Sequence, residues 1–434
     1  MAPRLPPARA SIHHTRVRRR RSVALGILGL IVLAVAFVVI YPRTNGSSEA
    51  TGKTATTEAI TEATTEAITE ATTTSTAPAA TATDTTPAAP AVEPPPSHVG
   101  PPSDKTRLKL INTISGDISP KSVVSSGTGY ITAQNMMYRH TVTVYGAKSM
   151  RLIATIPDSV VLAKFGYKGH PGTSQGAPVE AAFSPDAKYE YVTNYSMYGA
   201  GFGPEGLDTC TPESGYDRSF AYRIKTGSWK IDQVYEVGSV PKVVQATADG
   251  KYVLVSNWCS WDLSVISTAK GRVVRTIPIG AYPRGIAISP KGNAAYVAMM
   301  GGSKLVRVDL KSWKTRSIEI GSGPRAIEFA LNDRYIYATL NAEGTVAKLD
   351  LRTGNVVKVS TGQAPRSLTL SSDGKALYVV NYKSASIAKV RTRDMKVLQT
   401  IDACEHPIGI AYDAPTARVW AACYGGALLV FNDK

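Results

Sequence analysis

Cysteine is scarce in this 434-residue chain: there are four, at 210, 259, 404 and 423, with no C-x-x-C among them. That excludes a disulfide-dense miniprotein and a zinc ribbon. The signatures of several enzyme classes are also missing. No Gly-x-Ser-x-Gly, His-Glu-x-x-His or P-loop occurs, and no Gly-x-Gly-x-x-Gly stands at a strand–helix junction, so hydrolase, metalloprotease and nucleotide-binding readings lack support. Acids are few against bases, 33 to 49, for a formal charge of +16. Turn formers are plentiful: 36 Gly and 27 Pro point to many turns rather than long helices, and 43% hydrophobic residues can fill a sizeable core.

The charge divides as +7 over residues 1–22, −6 over 42–104 and +15 over 105–434. Between the first two lies Val23 to Ile40, eighteen uncharged apolar residues. As a helix this run is about 27 Å long, enough for a bilayer core. Arg16 and Arg18 to Arg21 precede it, whereas only Arg43 and Lys53 follow nearby. The positive-inside rule then keeps the N-terminus cytoplasmic and the rest extracytoplasmic. A cleaved signal peptide is the competing reading, but its best small-residue site, Ala34-Val35-Ala36, still has four apolar residues to follow. The expected plan is a basic cytoplasmic tail over 1–22, a single-pass transmembrane signal anchor over 23–41 and a disordered Thr/Ala/Pro/Glu-rich linker over 42–104. Such a linker has little to bury and serves as a stalk.

Residues 105–434 repeat. Gly-x-x-Pro recurs as GSVPKVV, GAYPRGI, GSGPRAI and GQAPRSL, and CEHPIGI continues the series; its prolines, from 241 to 407, are spaced 42, 41, 41 and 42 residues apart. Each is followed by four short apolar runs separated by turn residues, the pattern of a four-stranded blade. Pro120 and Pro178 open two earlier copies with about 16 and 21 extra residues, which brings the count to seven. The last copy ends after three strands, while residues 108–114 (LKLINTI) resemble the fourth strands VVRTI and VLQTI. The fold class expected is therefore all-β: a seven-bladed β-propeller whose N-terminal strand completes the last blade, removing an exposed sheet edge.

Tyr191-Val192-Thr193-Asn194 follows Ser184-Pro185-Asp186, and variants stand at Val253 to Asn257 and Tyr378 to Asn381. On these motifs residues 105–434 resemble the YVTN-repeat β-propellers of surface-layer-type and periplasmic proteins. The resemblance implies an envelope or exported binding protein and supplies no catalytic residue, so chemistry has to be argued from the site. Met299, Leu340 and Cys423 replace the Asn in three blades.

In a four-stranded blade the fourth-to-first and second-to-third connections share one rim. The first insertion, before Pro178, is of the former kind; the second, after Asn194, is of the latter. Both belong on one face, flanking the second blade, and loops on a rigid scaffold are where binding usually sits. They offer His170, Tyr195, Tyr198, Phe202, Glu205 and Asp208 beside Glu180, Asn194 and, one blade on, Asn257. Aromatics with carboxylates suit a sugar or peptide platform; the alternative is a loop that packs its rings onto the rim. His170, Glu205 and Asp208 are the candidates for a divalent cation, although no fixed ligand spacing supports one and no cofactor is predicted.

All four cysteines fall on the same face. Position pairs Cys210 with Cys259 and Cys404 with Cys423, out of three connectivities, and an exported domain is an oxidising setting. The residue after the repeat proline is Lys121, Lys242, Arg284, Arg325 or Arg366 in five of seven blades. These cations are expected to ring the channel mouth, where they either bind an anion or pair with Glu328 and rim carbonyls. The reading is a membrane-tethered extracytoplasmic binding module for an anionic or carbohydrate envelope component or a protein partner, without specific nucleic-acid recognition. The alternatives are a lactonase- or lyase-like propeller enzyme using His170, Glu180 and Asp208, and a scaffold with several partners.

Overall fold

The structure, a computed structural model, describes His98 and residues 100–434. The basic tail, the expected anchor and nearly all of the linker lie outside the described residues. Among the described residues no helix is long and apolar enough to cross a membrane.

The repeats fold into seven antiparallel sheets of four strands, one of which gains a short fifth strand, Ser159–Val160. We number the blades by their first strands: Ser122–Ser125, Ser174–Phe183, Pro241–Ala246, Pro283–Ile288, Pro324–Phe329, Pro365–Leu370 and Pro407–Asp413. In blades 3 to 7 the repeat proline is the opening residue of the strand, a position where its missing N–H disturbs the ladder least.

First strands touch their neighbours all the way round, including that of blade 7 against that of blade 1. Two glycines permit the closest approaches. A Cβ on Gly285 would lie 2.5 Å from the Arg325 carbonyl oxygen, and one on Gly409 would lie 2.9 Å from Ser122 Cα. The core lies between blades. In blade 4, Ala294, Tyr296 and Ala298 pack towards blade 5, whereas Ala295, Val297 and Met299 pack towards blade 3. A strand buried on both faces explains why AAYVAM is a continuous apolar run.

Ring closure follows the expected route. Leu108–Ser115 pairs with Ala427–Asp433, with Leu110 opposite Phe431. A buried polar lock accompanies it. Wholly buried Lys389 of blade 6 donates to Asp433 at 2.5 Å and to the Thr106 carbonyl at 2.9 Å. Thr106 and Tyr378 also donate to Asp433. Ser103 holds Asp373, in a first-to-second-strand turn, through its N–H at 2.9 Å. The chain therefore enters the propeller on the rim opposite the insertions.

Candidate functional site

Both insertions rise from the same rim and touch each other. The His170 ring stacks on Phe202 with centroids 3.9 Å apart, and both stand edge-on to Phe220. Phe202 joins a small core with Val160, Leu162, Met197 and Tyr222. The disulfides pair Cys210 with Cys259, Cα atoms 5.3 Å apart, and Cys404 with Cys423, 5.9 Å apart. The first staples the second insertion to blade 3.

Beside this staple the repeat cations gather. Lys121, Lys242, Arg284 and Arg325 are each at most 9% exposed, and Arg366 is half-buried. Their charges act on one another: Arg284, Arg325 and Lys242 all bear on Lys121, and Arg366 bears on Arg284 and Arg325. Two carboxylates oppose them. Asp208, from the second insertion, reaches Lys242 at 3.0 Å, and Glu180 lies 3.8 Å from Arg284. Five cations thus face two acids in a largely buried setting.

The local sequence explains the aim of these side chains. The Thr of Tyr-Val-Thr-Asn, Thr193, donates to the Lys242 carbonyl of the next blade at 2.8 Å, and Ser256 donates to the Arg284 carbonyl at 2.7 Å. In blades 2 and 3 the second strand thereby fixes the backbone that carries its neighbour's cation. Asn194 and Asn257 are wholly buried. Asn194 donates to the Phe220 carbonyl at 3.2 Å, and Asn257 to Asp262 at 2.6 Å and Ser264 at 2.9 Å. They brace the rim from within.

Burial pushes Lys121 well below the ordinary lysine range, and the charges of Arg284 and Arg325 push further. Burial, then Arg284, lowers Lys242 to about 7 against the pull of Asp208. Burial resists ionisation of Asp208, but Lys242 and Arg284 outweigh it and hold the carboxyl below its usual value. Arginine does not give up its proton in a protein, so for Arg284 and Arg325 the same pressure stays as an unrelieved energetic cost. Of the nitrogens of these five cations, Lys121 Nζ and Arg366 Nε are buried with no hydrogen-bond partner among the described residues.

Arg325 does bond a rim carbonyl, that of Arg366. Glu328, on the same strand as Arg325, makes no ion pair among the described residues, and the surrounding protein pushes its carboxyl up to about 7. Beside Tyr195, which the sequence offered, Trp258, Tyr382 and Tyr424 were missed. The residue after the Asn position is Tyr195, Trp258, Tyr382 or Tyr424 in four blades. Lys242 Nζ lies 4.1 Å from the Tyr195 ring centroid and 5.1 Å from that of Trp258, and the Arg366 guanidinium lies 3.8 Å from that of Tyr382. Such ring faces attract cations, and alignment of that single column would have revealed them.

The insertion aromatics divide. Tyr195 is buried, donating to the Gly206 carbonyl at 2.8 Å and to Asp208 at 3.3 Å; half-buried Tyr198 donates to Glu205 at 3.0 Å. Among the described residues no group of three or more His, Cys, Asp or Glu side chains is gathered to hold a metal ion. His170, packed on Phe202, has no hydrogen bond or ion pair to Glu180, Glu205 or Asp208.

The fold and its ornamented rim define a seven-bladed β-propeller. No family model matches the chain, and no curated protein matches it in sequence. Among solved structures it is similar to a chain of Kuenenia stuttgartiensis hydrazine synthase, at 17% identity and a TM-score of 0.58. The likeness covers 73% of this chain and 96% of that one. At that identity it shows the fold alone.

Proposed function

We propose that the protein is a binding module of the cell envelope: a YVTN-type propeller, tethered by a single-pass anchor, extracytoplasmic, and recognising an anionic partner through the rim that carries both insertions. One observation carries this reading. Lys121, Lys242, Arg284, Arg325 and Arg366 converge at one mouth, where among the described residues Glu180 and Asp208 are the carboxylates that oppose them. Natural cores do not collect uncompensated charge for stability, because burying an unpaired ion is unfavourable. A site that recruits the missing negative charge from a ligand resolves this.

The domain's charge of +15 adds a long-range field that steers acidic polymers towards it. Envelope carbohydrate bearing acidic groups and an acidic protein surface both meet the requirement. The test is retention of the purified full chain, in detergent, on immobilised polyglutamate, polyphosphate and uncharged dextran. Both acidic matrices should hold the protein and release it at about 0.5 M salt, where screening is strong. The double variant Arg284→Gln with Arg366→Gln should be held less tightly on both. Retention indifferent to matrix charge and salt would remove the basis of the reading.

A further inference from the structure

We infer that the channel mouth seats one compact dianion, a phosphoryl group, between Lys121, Arg284 and Arg325, beside the internal Lys242–Asp208 ion pair. This rests on the reading that the rim binds anions and names the chemical group it takes. Four observations lead there.

The first is charge. Three arginines and two lysines with lowered proton affinity face two carboxylates, so the mouth carries at most +3, and a dianion offsets that excess and favours the protonated form of both lysines more strongly than a carboxylate does. The second is direction. The three donors come from blades 1, 4 and 5, so they approach from different sides of the ring. A tetrahedral oxyanion accepts hydrogen bonds from several directions at once, whereas a carboxylate accepts only near its own plane. The third is an open valence. Lys121 Nζ is enclosed by protein, feels the charges of Arg284 and Arg325, and has no hydrogen-bond partner among the described residues. A buried ammonium without an acceptor is strongly disfavoured unless a ligand provides one.

The fourth is access. The Asp208 carboxylate that reaches the 6%-exposed Lys242 side chain is itself 75% exposed, so solvent leads to this cluster. Asp208 is also held in place. Its carbonyl accepts from Trp258 Nε1 at 2.9 Å, and the Cys210–Cys259 bridge lies two residues on. It acts as an internal counter-ion for Lys242; Arg284 keeps a looser contact with Glu180 and Arg325 one bond to the Arg366 carbonyl, so the remaining guanidinium N–H groups and Lys121 Nζ are what the ligand takes up.

The experiment is calorimetric titration of the full chain, in detergent, with inorganic phosphate, glycerol phosphate, acetate and polyphosphate. Phosphate and glycerol phosphate should bind saturably with one site, and acetate at least tenfold more weakly. Lys121→Met should weaken phosphate at least tenfold, the scale of one lost charge-assisted hydrogen bond. Asp208→Asn, which removes a competing negative charge, should tighten it. Polyphosphate binding much tighter than the monoesters would make the source a polymer end, and equal affinities a small ester; both support a phosphoryl site.

Acetate binding as well as phosphate, or phosphate binding unchanged in Lys121→Met, would overturn the inference. If polyglutamate and polyphosphate columns retain the chain while phosphate neither binds nor competes, this inference fails and the broader anion reading survives. If no anion is retained, both fail.

Discussion

Two buried lysines divide the molecule into a part that completes itself and a part that does not. Lys389, at the closure, is wholly buried and surrounded by acceptors from its own chain: Asp433, the Thr106 carbonyl and the Thr106 hydroxyl. Lys121, at the channel mouth, is enclosed to a similar degree, yet the charges acting on it are Arg284, Arg325 and Lys242 against Glu180 alone, and its Nζ has no hydrogen-bond partner among the described residues. Chemistry, burial and the surrounding β-structure are alike. What differs is whether the counter-charge is built in. Where it is, the lysine ties together blade 6, blade 7 and the incoming strand; where it is not, the lysine is unfavourable to the fold and available to a ligand.

This contrast is open to direct attack. The largest effect belongs to the closure. Lys389→Met strands Asp433 in a dry interior, and breaking a buried pair in this way typically loses about 3–5 kcal/mol. Chemical denaturation should show that loss, while Lys389→Met combined with Asp433→Leu should recover much of it, because replacing a pair is far milder than breaking one. Should the single variant be as stable as the parent, the lock is ornamental.

Opposite in sign and smaller, Lys121→Met should leave the unliganded fold as stable or raise its stability by about 1–3 kcal/mol, since it removes a buried, unpaired polar group. A pronounced loss in the melting temperature would mean that Lys121 is structural after all, and the two lysines would no longer contrast.

The smallest effect is on pH. Lys242 faces Asp208, Arg284, Arg325, Lys121 and the rings of Tyr195 and Trp258, and holds its proton only up to about pH 7. Its folded value lies below its ordinary one, so between these two pH values the unfolded chain binds the extra proton and the group adds stability as pH rises. Sulfate keeps its charge throughout this range, so its binding should weaken above about pH 7 as the mouth loses a cation. Lys242→Met should flatten both trends; a sulfate affinity that is constant from pH 6 to 9 would place the anion away from this residue.

The architecture was legible because it is periodic. Prolines 41 or 42 residues apart mark blades, and LKLINTI betrayed the borrowed strand because it repeats the cadence of VVRTI. Cysteine pairing followed from placing each residue on a rim, and the cation column from reading one position down five repeats. What stayed hidden has no period. Thr106, Tyr378, Lys389 and Asp433 are single residues from distant positions that meet only when the ring closes.

The short strand Ser159–Val160 was hidden as well, since it pairs with a part of blade 2, Ser174 and Gln175, that rises above the repeat. In the insertions composition could not tell a stacking platform from mortar. His170 and Phe202 lie face to face, so they occupy one another. The Asn of the repeat offered polar chemistry, but it is buried and its amide NH2 is engaged within the strands, as at Asn257.

The most direct test of the central claim is an anomalous-difference map from crystals of the full chain grown with selenate, a tetrahedral dianion visible at the selenium edge. A peak within hydrogen-bond distance of Lys121 Nζ, with guanidinium nitrogens of Arg284 and Arg325 turned towards it, is the result expected. Selenate bound elsewhere, with Lys121 satisfied by a protein acceptor, would contradict the account.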